Sequence, residues 1–142
     1  MTRVDFYILD DDSGDGLQRF ACRLVDKAWG RGMRCFINTA TPDQAARLDE
    51  LLWTFRDISF LPHAIAPAAE SARLAALIGN DSEPDTELDL LINLSPEVPT
   101  WFSRFERVAE LVDNHDDRRK AGRERFRFYR DRGYQLESHN IR

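Results

Sequence analysis

Hydrophobic positions along this chain alternate between two spacings. Val4–Leu9 is a β-branched and aromatic run that predicts a first strand. After the acidic stretch Asp10–Gly16, apolar residues recur at Leu17, Phe20, Ala21, Leu24, Val25, Ala28 and Trp29, the spacing of an amphipathic helix. Gly30-Arg31-Gly32 ends it. Met33–Asn38 predicts a second strand. Thr41-Pro42-Asp43-Gln44 combines a capping pair with proline in the first turn, so a second helix starts there, with Ala45, Leu48, Leu52 and Phe55 on its apolar face. Trp53 falls to one side of that face. Ile58–His63 predicts an extended piece. Residues 64–88 are poorly patterned: Ala72–Ile78 fits a short helix or a strand, and 81–87 a mobile acidic loop.

Leu88–Leu94 is nearly continuous in apolar residues, the mark of a strand covered on both faces. Pro96, Pro99 and Trp101 fall in the connection after it. Arg107–Asp113 fits a helix by spacing and a strand by context. A last helix follows over Arg118–Arg132, with Asp116 and Asp117 at its positive end and Gly133 just past its close. Strand and helix alternate, which predicts an α/β fold: an open, mostly parallel sheet with helices on both faces.

The length of 142 residues is that of a single domain spanning 1–142, able to bury roughly 70% of its unfolded surface. At 42% apolar and 32% charged residues the composition is globular. There is no apolar run long enough for a membrane span and no signal-peptide pattern at Thr2–Asp5, so a cytoplasmic location is expected. Cys22 and Cys35 lie in apolar-periodic segments and are expected to be buried free thiols.

Charge changes the picture more. Arg118–Arg132 holds eight basic and two acidic residues, a net of +6 on a chain of −5. On a helical projection Ala121, Gly122, Arg125, Phe126, Phe128 and Tyr129 share one side. Arg119, Lys120, Arg123, Arg127 and Arg130 share the other, with Phe126 at the boundary. A basic stripe edged by one ring, on an otherwise acidic protein, suits an anionic partner of limited size. A solvated surface face would look similar in sequence. The other aromatics face the core, which argues against a stacking platform for bare DNA.

Other motifs in the chain point to other chemistries. Asp10 and Asp12 end a strand, Ser95 ends another, and Asp113, Asp116 and Asp117 follow a third apolar run. This set resembles, loosely, the haloacid-dehalogenase-type phosphatases, which would use Mg²⁺ on the carboxylates. Gly14 departs from that pattern, and Lys27 and Lys120 are the only lysines. Asp11-x-Ser13-x-Asp15-Gly16 begins like a calcium loop, but Cys22 holds the position that needs a bidentate glutamate. No glycine-rich phosphate loop is present. His63, His115 and His139 are too dispersed for metal spacing, and no cofactor or metal is expected. His63 reads as a structural hydrogen-bonding residue. Trp53 and Phe60, beside Pro62, would make an apolar patch suited to a protein partner.

A resemblance rests on residues across nearly the whole chain. They are Phe6-Tyr7-Ile8-Leu9-Asp10, Lys27-Ala28-Trp29-x-Arg31-Gly32, Gln44-Ala45, Leu48-Asp49-Glu50-x-Leu52-Trp53 and Ser59-Phe60-Leu61-Pro62-His63. Leu91-Ile92-Asn93-Leu94-Ser95 and Arg123–Arg130 complete the set. In order and spacing the chain resembles the chi subunits of bacterial DNA polymerase III holoenzyme. The resemblance implies a non-enzymatic accessory subunit of the clamp-loader assembly, with an open α/β sheet. It implies contact with DNA only indirectly, through the acidic C-terminal tail of the single-stranded-DNA-binding protein (SSB). It places that tail on Arg123, Phe126 and Arg127, with Val112 lining the pocket; the basic stripe of the helix adds Arg130 in support. It places the psi subunit, or in some bacteria a repair helicase, on Trp53 and Phe60. Phe126 stands where that family usually has tyrosine, and Arg127 where it usually has lysine.

Overall fold

The computed structural model describes residues 2–11, 14–54, 61–68 and 73–141. In chain order the elements are β1 (Arg3–Leu9), α1 (Gly16–Gly30), β2 (Cys35–Thr39), α2 (Pro42–Thr54), β3 (His63–Ile65), β4 (Ala76–Asn80), β5 (Leu90–Asn93), β6 (Arg107–Val112), α3 (Asp116–Asp131) and β7 (Gln135–Ile141). Seven strands form one sheet in the order β3-β4-β2-β5-β6-β1-β7, and every pairing is parallel. This is the open α/β sheet the alternation predicts.

Side chains alternate across the sheet and divide the core in two. Leu9, Cys35, Ile37, Ile92 and Ala109 face α1 and α2. Val4, Phe6, Phe36, Leu91, Val108 and Val112 face Tyr129 of α3 and a short 3₁₀ turn, Phe102–Arg104. Leu91 and Ile92 thus cover β5 on both faces, as its unbroken apolar run requires. The adjacent strands β1 and β6 hand the chain to helices on opposite faces, α1 and α3. Their C-terminal ends form the topological switch point of the sheet, where open α/β folds place ligands.

Local chemistry explains the boundaries. The Gln44 amide N–H donates to the Thr41 hydroxyl at 3.1 Å, and the Gln44 side-chain oxygen accepts from the Ala40 N–H at 2.7 Å, which caps α2. Past α1 and α3 the chain turns at Gly32 and Gly133, with φ of 77° and 78°, a region only glycine enters freely. Asp116 and Asp117 lie inside the first turn of α3, which begins two residues earlier than its basic stretch.

Several open readings are resolved. Of the 72–78 region, Ala76–Ile78 belong to strand β4 and residue 72 lies outside the described residues; Arg107–Val112 is strand β6. The acidic 81–87 loop is tied rather than loose: Arg104 donates to the carbonyls of Pro84 at 2.7 Å and Thr86 at 3.3 Å, and pairs with Glu83 at 3.4 Å. β7 is an addition to the predicted elements. It extends the sheet beyond β1 as a polar edge strand. Of the extended piece 58–63, only Leu61–His63 falls among the described residues. Cys22 and Cys35 are free and buried, and burial pushes both thiols up to about 12. Both ring nitrogens of His63 reach carbonyl oxygens, of Leu61 at 2.6 Å and Asp49 at 3.1 Å, so it serves structure.

Candidate functional site

α3 sits on the sheet through a narrow apolar strip. Gly122, Arg125 and Tyr129 are its buried residues, one helical turn apart or nearly so. Arg125 is charged, yet it is only 5% exposed, and its burial has a specific cause. Asn38, Asn93 and Glu110 stand in register on β2, β5 and β6, all on the α3 side of the sheet and all fully buried. Asn38 donates to Asn93 at 3.0 Å, and Asn93 donates to Glu110 at 3.0 Å. Arg125 Nε donates to Glu110 Oε1 at 2.8 Å, and the Tyr129 hydroxyl to Oε2 at 2.6 Å. Burial, with the Glu110 carboxylate beside it, raises the Tyr129 hydroxyl well above the ordinary tyrosine range, so it stays a donor. This network fixes the height and rotation of the helix.

With α3 so placed, a pocket of about 160 Å³ opens between the helix and the ends of β1 and β6. Its walls are Phe6 and Ile8 from β1, Val112 from β6, Ser138 from β7, and Gly122 and Phe126 from α3. Ile8 and Val112 are register partners, so the floor lies beside the switch point. Phe126 meets Phe6 edge to face at 5.3 Å. Arg119 and Arg123 complete the lining. Arg119 leans on the Asp113 carbonyl at 3.3 Å, while Arg123 is exposed and has no carboxylate partner among the described residues. The arrangement offers an apolar slot for one ring or branched side chain and a guanidinium fork for a carboxylate.

Of the tail residues expected from sequence, the pocket gathers Val112, Arg123 and Phe126. Arg127 and Arg130 continue the exposed stripe along α3 but do not line the pocket, and Arg130 pairs with Asp131 at 3.3 Å. The structure adds Phe6, Ile8, Arg119, Gly122 and Ser138 to the lining expected from sequence. Phe6 and Ile8 are two apart on a strand, so their shared face was available from the period. Arg119 and Gly122 lie one turn before Arg123 and Phe126. Ser138 sits on a strand without an apolar alternation and carried no signal.

At the opposite edge of the fold, Trp53 closes α2 with 53% of its surface exposed. Its ring lies 4.6 Å from that of His63. Phe60, its expected companion, lies outside the described residues, as does Asp12 of the phosphatase-like set. Of the rest of that set, Asp10 is exposed, and Asp113 gives both carboxylate oxygens to Arg118 at 2.6 and 2.8 Å. Asp15 of the calcium-like loop is likewise clamped by Arg47 at 3.2 and 2.7 Å, which joins α1 to α2.

Comparison with known proteins bears on the whole chain. Residues 1–137 match the family model described as DNA polymerase III chi subunit, HolC. The chain belongs to the DNA polymerase III chi subunit family. It is 42% identical over 141 residues to the DNA polymerase III subunit chi of Pseudomonas aeruginosa, covering 99% of this chain and 98% of that one. It is 31% identical over 145 residues to the subunit chi of Escherichia coli K12, covering 97% of each. Among solved structures, T4 UvsW shares the fold with a TM-score of 0.68 at 8% identity, over 99% of this chain and 41% of that one. The second domain of the DEAD-box helicase Mss116p, bound to an RNA duplex, does so with a TM-score of 0.63 at 10% identity, over 96% and 63%. These two likenesses concern the sheet architecture alone. Among the described residues of this chi-family chain, no helix is long and apolar enough to cross a membrane.

Proposed function

We propose that this chi-family chain is a non-catalytic, cytoplasmic bridge within the clamp-loader assembly of DNA polymerase III. In this reading the α3 pocket holds the acidic C-terminal tail of SSB. The observation that carries it is one apolar pocket with Arg123 free at its rim and Phe126 and Val112 in its wall. A tail ending in an aromatic residue and a carboxylate needs a slot for the ring and a fork for the anion. Arg127 and Arg130 lie outward of the pocket and add longer-range attraction for acidic residues further up the tail. The negative charge elsewhere on the chain disfavours DNA itself, so contact with DNA is through SSB. Exposed Trp53, with Phe60 assigned from sequence, is the proposed contact for the psi subunit or a repair helicase. Holding two partners at once raises their effective concentration near each other through individually modest contacts.

Calorimetric titration with a peptide of the SSB tail tests the assignment. Arg123→Ala lowers affinity about tenfold or more, the loss of one charge-assisted hydrogen bond. A peptide lacking the terminal aromatic residue binds more weakly still, and added salt weakens every complex. Unchanged affinity in Arg123→Ala would remove the α3 pocket as the tail site.

A further inference from the structure

On the face opposite α3, the flank of α1 and strands β1, β5 and β6 enclose a second cavity, of about 330 Å³. One wall carries Arg23 and Lys27 of α1 and Arg31, the residue that caps its C-terminus, spaced four residues apart. Arg107 of β6 also lines it. Asp5, the carboxylate in this lining, is already held by Arg107 at 3.1 Å and His139 at 3.0 Å. Among the described residues, Arg23, Lys27 and Arg31 have no ion-pair partner. The negative end of the helix dipole accounts for cations at Lys27 and Arg31. It does not account for Arg23, two turns earlier. A protein of net −5 therefore concentrates uncompensated positive charge around a concave site.

The floor has the opposite character. Phe20, Leu24, Ala28 and Ala109 line it, and the Tyr7 ring lies 5.2 Å from that of Phe20. The Arg23 guanidinium lies 5.3 Å from the Phe20 ring centre. An inorganic anion alone would leave this floor uncovered, and an apolar ligand would leave three cations unmatched. The volume falls within the range of small-molecule sites, roughly 300–1,000 Å³. We propose that this cavity binds a nucleoside polyphosphate, with its phosphates on Arg23, Lys27 and Arg31 and its base against Phe20 and Tyr7. Because no glycine-rich loop cradles the phosphates, side chains supply the binding, and affinity falls steeply with salt.

Calorimetry of the full chain at low ionic strength, with ATP, adenosine and inorganic tripolyphosphate each carried to millimolar concentration, tests this. ATP binds, and adenosine and tripolyphosphate each bind about tenfold more weakly or worse. The exposed double variant Lys27→Glu/Arg31→Glu keeps its circular dichroism spectrum and loses ATP affinity at least about tenfold, whereas Lys120→Glu/Arg132→Glu, the same change of charge on the other face, retains it. Absence of ATP binding at millimolar concentration overturns the proposal. So does tripolyphosphate binding as tightly as ATP, an undiminished Lys27→Glu/Arg31→Glu variant, or equal loss in Lys120→Glu/Arg132→Glu.

Discussion

Gly122 of α3 rests directly on Val112 of β6. A methyl group at position 122 would stand 2.8 Å from one Val112 methyl and 3.3 Å from the other. Valine is stiff about χ1 and buried here, so it cannot swing aside. Glycine inside a helix costs about 0.5–1 kcal/mol relative to alanine. In return α3 lies low enough for Phe126 to reach Phe6 and close the pocket wall. Gly122→Ala therefore sets that helical gain against overpacking of roughly 1–3 kcal/mol. The urea midpoint falls, and tail-peptide affinity falls with it as α3 lifts from β6. A raised midpoint with unchanged affinity would show that this contact does not set the height of the helix.

The buried ion pair under the same helix makes a sharper demand. Glu110 is fully buried, and Arg125 is its cationic partner at 2.8 Å. Arg125→Met leaves a buried carboxylate without its cation, a loss on the order of 3–5 kcal/mol. Tyr129→Phe removes one charge-assisted bond and costs less, about 1.5–3 kcal/mol. Adding Glu110→Gln to Arg125→Met recovers part of the first loss, because the stranded charge is gone. Urea unfolding of these variants and of Glu110→Gln alone measures this; simple additivity of the Arg125 and Glu110 changes would mean the two do not act as a pair.

How much of this was legible in the sequence depended on the period of each segment. β1, α1, α2 and β5 announced themselves by spacing, and α3 by its acidic start, basic run and closing Gly133. β6 stayed ambiguous because Val108, Leu111 and Val112 satisfy helical spacing, while a strand buried on both faces shows no alternation. The role of Glu110 was hidden for a related reason. Its partners Arg125 and Tyr129 lie fifteen and nineteen residues further along and meet it only where α3 packs onto the sheet. β7 escaped because an edge strand with one neighbour needs little apolar surface, and Gln135–Ile141 has only half-buried positions at Leu136, His139 and Ile141. For the pocket, α3 and the family resemblance gave Arg123, Phe126 and Val112. The contributions of Phe6, Ile8 and Ser138 required knowing which strands lie under the helix.

Asp5 gives the fold a pH dependence. Burial by itself would raise its carboxyl, but hydrogen bonds from His139 and Arg107, with Arg3 nearby, outweigh that and hold it below the ordinary aspartate value. A folded-state value below the unfolded one stabilises the protein above the unfolded pKa. That stability is lost as pH falls through the folded value. Urea midpoints should therefore hold near neutrality and decline below about pH 4. In Asp5→Asn the curve lies lower near neutrality, its acid limb is shallower, and the two proteins converge at low pH. An acid limb of unchanged slope would assign the loss to other carboxylates.

Trp53 tests whether the two partner surfaces are separate. Its helix buries Leu48 and Leu52 in the core on the α1 side, whereas the pocket proposed for the tail lies on the α3 side. α2 also runs back along the parallel strands, so Trp53 lies toward their N-terminal edge, away from Ile8 and Val112 at the opposite ends. An exposed indole at such a place suits the centre of an interface, where truncation costs about 2 kcal/mol or more. Trp53→Ala should leave tail-peptide affinity unchanged and weaken capture of psi or the helicase at least tenfold in a pull-down titration. Arg123→Ala should do the converse. If Trp53→Ala instead abolished tail binding and spared the other partner, the assignments of the two surfaces would have to be exchanged.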